Sequence, residues 1–169
     1  MSMIFRAMEF ARNAHRSQRR KYTNAPYFDH LAEVAGIVAS VCDWEAFPDG
    51  EMVAVAWLHD CIEDQGVTTQ QICDEFTWHV ARGVWLLSDI EGGNRETRKR
   101  LSRYRLAGAP GWVQTIKCAD VISNTSSIVQ FDPKFARVYL EENHRLLKVM
   151  AKADRRLWDI ANQLVVEAA

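Results

Sequence analysis

The chain has 169 residues, the length of one ordinary domain, and apolar residues make up 48% of it, enough to fill a core at that size. Charged residues are 25% and the formal net charge is −1, which excludes a general attraction to nucleic acid or to an anionic membrane surface. The longest apolar run, Met52 to Leu58, is far short of a membrane span, and Met1 to Glu9 is too short and too polar for the apolar stretch of a signal peptide. The cysteines, at 42, 61, 73 and 118, form no C-x-x-C pair, so a reduced, cytoplasmic protein is expected, its thiols packed as small apolar groups.

In chain order, Ile4 to His15 sets Phe5, Met8 and Ala11 on one side of a helix, with Arg6, Glu9 and Arg12 beside them. Gln18 to Phe28 is polar, contains Ala25-Pro26-Tyr27 near its end, and reads as a loop. Asp29 is placed to cap the next helix, whose stripe is Val34, Ile37, Val38 and Val41. Glu51 to about Asp64 reads as one helix, apolar on every side at first, which belongs at the centre of a bundle. Thr68-x-x-Gln71 has the form of a capping box opening a short helix with Ile72 and Phe76, and Val80, Val84, Leu87 and Ile90 continue a helical stripe.

Glu96 to Ala107 is strongly basic, and the Glu96–Arg100 spacing favours a solvated face over a binding surface. Val113 to Ile128 holds no helix breaker. Asp132-Pro133 opens one last long pattern through Leu140, Leu147, Met150, Leu157, Ile160 and Leu164. No pair of strands with a hairpin turn stands out. The expectation is an all-α, single-domain bundle over residues 1–169, with about seven or eight helices. The apolar faces of the last helix leave room for a homodimer.

The strongest local chemical signal is Trp57-Leu58-His59-Asp60-Cys61-Ile62-Glu63-Asp64, in which an adjacent His and Asp end an apolar helix. Burying either polar side chain alone is costly, and a shared divalent cation removes that cost because both become ligands. Glu63 lies four residues after His59 and Asp64 four after Asp60, so a continuing helix would carry them one turn later on nearly the same face. Two further candidates have suggestive surroundings. His30 follows Pro26-Tyr27-Phe28-Asp29, and Asp120 ends the apolar stretch Ile116-Lys117-Cys118-Ala119. Two imidazoles and two carboxylates make a nitrogen–oxygen site suited to Mn²⁺, Fe²⁺ or Zn²⁺, and four such ligands on an octahedral ion leave positions for water and substrate. Cys61 and Cys118 neighbour these residues but are assigned to packing. His79 and His144 read as ordinary surface or core histidines, and His15 as the partner in a structural hydrogen bond.

The order His … His-Asp … Asp resembles that of the HD-domain phosphohydrolases. A wider set looks like their RelA/SpoT alarmone hydrolase branch in its small single-domain form. The stretches that carry this are Ala14-His15-Arg16-Ser17-Gln18-Arg19-Arg20-Lys21, Ala25-Pro26-Tyr27-Phe28-Asp29-His30, Leu58-His59-Asp60-Cys61-Ile62-Glu63-Asp64 and Ile116-Lys117-Cys118-Ala119-Asp120-Val121-Ile122-Ser123-Asn124. The resemblance implies hydrolysis of guanosine 5′-di- or triphosphate 3′-diphosphate with release of pyrophosphate, usually with Mn²⁺. It implies that His30, His59, Asp60 and Asp120 hold the metal and that Glu63 and Asp64 are the catalytic acidic pair. It further implies that Arg20 and Lys21 line the nucleotide pocket and that Asn124 lies beside ribose and phosphates. Positive groups are needed for the pyrophosphate, and Lys117, or Lys99, Arg100 and Arg103, are the candidates.

The chain departs from the family at Leu31, where proline is usual after the first metal histidine, and at Ser88-Asp89 in place of Thr-Asp. It also lacks the basic residues usual at the positions of Val121 and Ser126. These last two bear on which nucleotide is taken rather than on hydrolysis. The alternatives are therefore an HD phosphohydrolase of another nucleotide, such as a nucleoside mono- or triphosphate or the 2′-phosphate of NADPH, or a non-catalytic nucleotide-binding protein. The synthetase and regulatory domains of the long enzymes are not expected.

Overall fold

The structure, a computed structural model, describes residues 1–168. Those residues form ten helices and no strand. The chain divides into two compact units, Met1–Ile90 and Glu91–Ala169.

The first unit holds α1 (Met3–Ala14), α2 (Tyr27–Ala39), α3 (Glu51–Leu58), α4 (Cys61–Gln65), α5 (Thr69–Glu75) and α6 (Trp78–Leu87). Its centre is α3, in which every residue from Met52 to Leu58 is buried. That is the outcome expected of a helix apolar all round, and α1, α2 and α6 pack against it. Gly50 caps α3 at φ 77°, and a Cβ there would lie 2.6 Å from the side chain of Ile4, so only glycine lets α1 approach the start of α3 this closely. The capping box at Thr68 and Gln71 forms as expected, with the Thr68 side chain accepting from the Gln71 N–H.

Two expectations in this unit are corrected. Asp29 does not cap α2; the helix starts two residues earlier, after Pro26, and Asp29 lies in its first turn. The reason is the preceding loop, which closes on itself. Arg20 N–H donates to Ala25 O at 2.8 Å and Tyr27 N–H to Gln18 O at 3.0 Å, fixing where the helix can begin. The stretch from Glu51 to Asp64 is also not one helix. It breaks at His59 and Asp60, where Asp60 adopts φ −99°, ψ −1°, and resumes as α4. The bond from Asp64 N–H to Asp60 O at 2.9 Å opens α4 on the far side of the break.

The second unit holds α7 (Arg95–Gly108), α8 (Gly111–Phe131), α9 (Pro133–Leu147) and α10 (Arg155–Glu167), with α8 packed on α9 and α10. Asp132 caps α9 ahead of Pro133, as its sequence signal implies. The long pattern from there to Leu164 is two helices rather than one. Asp154 stops the run by accepting from the N–H groups of Arg156 and Leu157 and so starting α10. The turn between them is tied to α8: Lys152 N–H donates to buried Gln114 Oε1 and Asp154 N–H to Thr115 Oγ1, each at 2.8 Å. These two breaks raise the helix number above the seven or eight expected. No helix among the described residues is long and apolar enough to cross a membrane.

Candidate metal and catalytic site

The break between α3 and α4 is where the chemistry gathers. His59 and Asp60 occupy it, and α2 delivers His30 beside them. The two imidazole rings stand edge to face, centroids 5.3 Å apart. His30 Nε2 lies 3.6 Å and His59 Nε2 3.0 Å from Asp60 Oδ2. One ligand atom from each of the three residues falls within 4.8 Å of the others, a group that can hold a metal ion. Both histidines are buried, at 2% and 3% exposure, whereas the Asp60 side chain retains 17% and gives the cluster an open side.

The protonation of His59 follows from its neighbours. Its Nδ1 is 2.7 Å from the carbonyl oxygen of Ala56, which can only accept, so Nδ1 carries the hydrogen. In the neutral ring Nε2 then presents a lone pair, and it faces a carboxylate oxygen at 3.0 Å. Two acceptors at that distance repel unless a positive species lies between them. An imidazole whose far nitrogen donates to a backbone carbonyl, facing a carboxylate, is the usual dress of a metal-binding histidine. The donor set of two nitrogens and an oxygen thus fits a divalent cation of the Mn²⁺, Fe²⁺ or Zn²⁺ kind.

Tyr27 supports the cluster. Its hydroxyl donates to Asp60 Oδ2 at 2.7 Å, and its ring meets His30 edge-on at 5.3 Å and stacks on His15 at 5.2 Å. The Arg20 guanidinium sits 6.0 Å from the same ring, so the loop before α2 brings one of the two expected nucleotide-binding cations next to the cluster. Lys21 is exposed and contacts Tyr22 instead, with Nζ 3.2 Å from its hydroxyl.

The two acids on α4 are exposed, and each is held by another element. Asp89 N–H, just beyond α6, donates to Glu63 Oε2 at 2.8 Å. Gln18 Nε2 donates to Asp64 Oδ2 at 2.7 Å. Cys61, between these acids and the histidines, is wholly buried, and burial followed by the nearby Asp60 and Asp64 charges pushes its thiol far up. It is therefore a neutral packing group, as expected. Burial, followed by the Asp154 charge, likewise pushes the Cys118 thiol up to about 12.

Asp120, Lys117 and Asn124 belong to the second unit, where they form a compact group on α8. Lys117 Nζ donates to Asp120 Oδ2 at 2.7 Å and Asn124 Nδ2 to Asp120 Oδ1 at 2.6 Å. The i, i+3 and i+4 spacings place all three on one stripe of the helix. Asp120 is buried at 7% exposure, and both its oxygens accept within that group.

Sequence reasoning missed the supporting roles of Tyr27, Gln18 and the Asp89 N–H. The place of Tyr27 three residues before His30 on the same helix turn is the signal that it could reach the same ligand set. Gln18 carried no signal beyond its motif, and a backbone N–H carries none.

The HD domain family model matches residues 7–107, more than half of the chain. The chain is 28% identical over 166 residues to the guanosine-3′,5′-bis(diphosphate) 3′-pyrophosphohydrolase of Aquifex aeolicus, an alignment covering 95% of this chain and 23% of that protein. It is 30% identical over 155 residues to a probable enzyme of the same name from Synechocystis, covering 88% of this chain and 20% of that one. It spans less than a quarter of the length of these bacterial relatives. Against the guanosine-3′,5′-bis(diphosphate) 3′-pyrophosphohydrolase MESH1 of Homo sapiens it is 25% identical over 169 residues, covering 96% of this chain and 93% of the human protein. Among solved structures, that of a metazoan orthologue of SpoT described as hydrolysing ppGpp superposes with a TM-score of 0.86 at 21% identity, covering 99% and 96% of the two chains. The all-helical fold expected from the helical periodicities is therefore the observed one.

Proposed function

The chain belongs to the HD domain family, and on that footing we propose that it is a divalent-metal-dependent hydrolase that removes the 3′-diphosphate from (p)ppGpp-type nucleotides as pyrophosphate, acting in the cytoplasm. The observation that carries the reading is the His30–His59–Asp60 cluster, with His59 Nε2 3.0 Å from a carboxylate oxygen and its Nδ1 on a backbone carbonyl. The names of the aligned relatives supply the substrate class.

In this reading His30, His59 and Asp60 hold one ion, Mn²⁺ by family habit, and Asp120 is the fourth ligand, assigned from its motif. Such an ion, when bound, offsets phosphate charge and acidifies coordinated water. The bond broken joins ribose O3′ to phosphorus; water adds its oxygen to that phosphorus, and O3′ ends protonated. Glu63, steadied through Oε2 by the Asp89 N–H, takes the water proton. Asp64 orients the water. Arg20, beside the Tyr27 ring, and Lys21, on the same loop, receive nucleotide phosphates, with Asn124 and Lys117 serving ribose and leaving group.

A panel of nucleotides incubated with Mn²⁺ and resolved by ion-exchange chromatography tests this. Pyrophosphate and GDP from guanosine 5′-diphosphate 3′-diphosphate are the expected products. Orthophosphate from a nucleoside mono- or triphosphate or from NADPH would move the substrate to the other class, and no product with Mn²⁺, Fe²⁺ or Zn²⁺ would remove the enzymatic reading.

A further inference from the structure

One polar path in the first unit is not needed to hold a metal. His15, the residue after α1, is buried at 2% exposure and lies flat on the Tyr27 ring, 13° from parallel. Its Nδ1 is 2.6 Å from Gln18 Oε1, and its Nε2 is 3.6 Å from the Cys61 thiol. Gln65 Nε2 also donates to Gln18 Oε1. On its other side, Gln18 Nε2 donates to Asp64 Oδ2 at 2.7 Å.

The polarity of this path is determined throughout. A carboxylate can only accept, so the Gln18 amide must turn its NH₂ toward Asp64 and its oxygen inward. That oxygen accepts from Gln65 and from His15, which places the His15 hydrogen on Nδ1. His15 Nε2 is then an acceptor for the Cys61 S–H, a weak donor. No member can flip without setting two donors or two acceptors face to face. Asp64 is on a helix of only five residues and is exposed, so its own element does little to restrict its rotamer. Gln18 comes from the loop between α1 and α2 and is anchored by a buried ring.

We propose that Gln18 is a positioning residue that aims the Asp64 carboxylate, and that buried His15 holds Gln18 in the orientation that lets it do so. This rests on Asp64 taking part in the reaction proposed above. The same His15 ring, stacked on Tyr27, also lies against the residue that donates to Asp60. One buried imidazole thus braces both a metal ligand and a catalytic acid.

The test is a double-mutant cycle. Gln18→Met keeps the length of the side chain and removes both amide contacts. It should lower kcat by about 10-fold or more, while the substrate KM and the Mn²⁺ Kd stay within about twofold, because misaiming a group that acts at the transition state costs rate rather than binding. In an Asp64→Ala background the same substitution should cost less than about twofold, because its target is gone. Gln18→Glu keeps the oxygen for His15 and Gln65 but turns a carboxylate onto Asp64. It should match or exceed the loss in Gln18→Met, because two carboxylates then face each other where a donor stood, and kcat at the wild-type level in this variant overturns the proposal. Equal losses in both backgrounds, or full kcat in Gln18→Met, overturn the proposal. If the wild-type chain turns over no nucleotide, the hydrolase reading fails on its own. The positioning is then decided by the Gln18 side-chain amide resonances, identified by their loss in Gln18→Met. A shift on Asp64→Ala supports the contact, and unmoved resonances overturn it.

Discussion

Asp60 and Asp120 are both carboxylates set among apolar helical neighbours, and their charge is met in opposite ways. Asp120 carries its compensation on its own helix: the Lys117 ammonium at 2.7 Å and the Asn124 amide at 2.6 Å. Asp60 leans on two imidazoles, which are cationic only when protonated, and on the neutral phenol of Tyr27, which donates a hydrogen bond. The Lys117 and Asn124 contacts satisfy both oxygens of Asp120 from within one helix. A carboxylate facing two imidazole nitrogens is an arrangement that can hold a metal ion. The two aspartates are alike in sequence, and their neighbours separate a carboxylate in a group that can hold a metal ion from one compensated on its own helix.

The sharpest way to break this comparison is Asp60→Ala. It should abolish turnover and remove bound metal, read by metal analysis after gel filtration. Thermal stabilisation by Mn²⁺, about 3 kcal/mol at a hundredfold excess over Kd, should disappear with it. Retained turnover would refute the ligand assignment. Glu63→Gln comes next, with kcat lowered by about 10²–10⁴-fold and metal content unchanged, since Glu63 is assigned to proton transfer and not to the ion. A loss of metal instead would place Glu63 among the ligands.

Asp120→Asn probes the other side. It strands the Lys117 ammonium, a partly buried cation, and should cost about 2 kcal/mol by denaturant titration after discounting for residual solvent. Adding Lys117→Met should restore part of that. If Asp120 is also the fourth ligand, metal affinity falls in both variants, and an unchanged affinity would remove it from the set.

The smallest effect is expected at Asp154, in a region with no part in the chemistry. The Arg156 side chain, and then the backbone N–H groups of Leu157 and Arg156, hold its carboxyl below the ordinary 3.8 against a smaller opposing effect of burial. A lowered folded-state pKa means the unfolded chain takes up the proton first as pH falls. The contribution is therefore fully present above the unfolded value and is lost as pH drops through 3.8 to the folded one. Asp154→Ala should cost about 1 kcal/mol at pH 7 and progressively less in acid, measured by chemical denaturation at each pH.

Much of this was legible in the chain. The burial of Met52 to Leu58 follows from the absence of any polar residue in that run, and the caps at Thr68 and Asp132 follow from side chains that bond within three residues of themselves. The adjacency of His59 and Asp60 needed no tertiary information. The helix break at those residues was not legible, because nothing around Asp60 is a breaker and the kink is held by contacts from α2. Nor was the stop at Asp154, where the apolar stripe runs on in register and a turn bonded to Gln114 and Thr115 interrupts it.

The sequence by itself determined what is local: helix-forming periods, caps, a wholly apolar central helix and the paired donor types for a cation. Those depend on residues a few positions apart, whose geometry any helix supplies. Tertiary structure alone decided which nitrogen of His59 faces Asp60, that Tyr27 reaches the same oxygen, and that Asp64 is aimed by a glutamine 46 residues earlier. Hydrogen-bond direction depends on the partner across the fold, and a linear chain does not record which groups packing will bring within 3 Å.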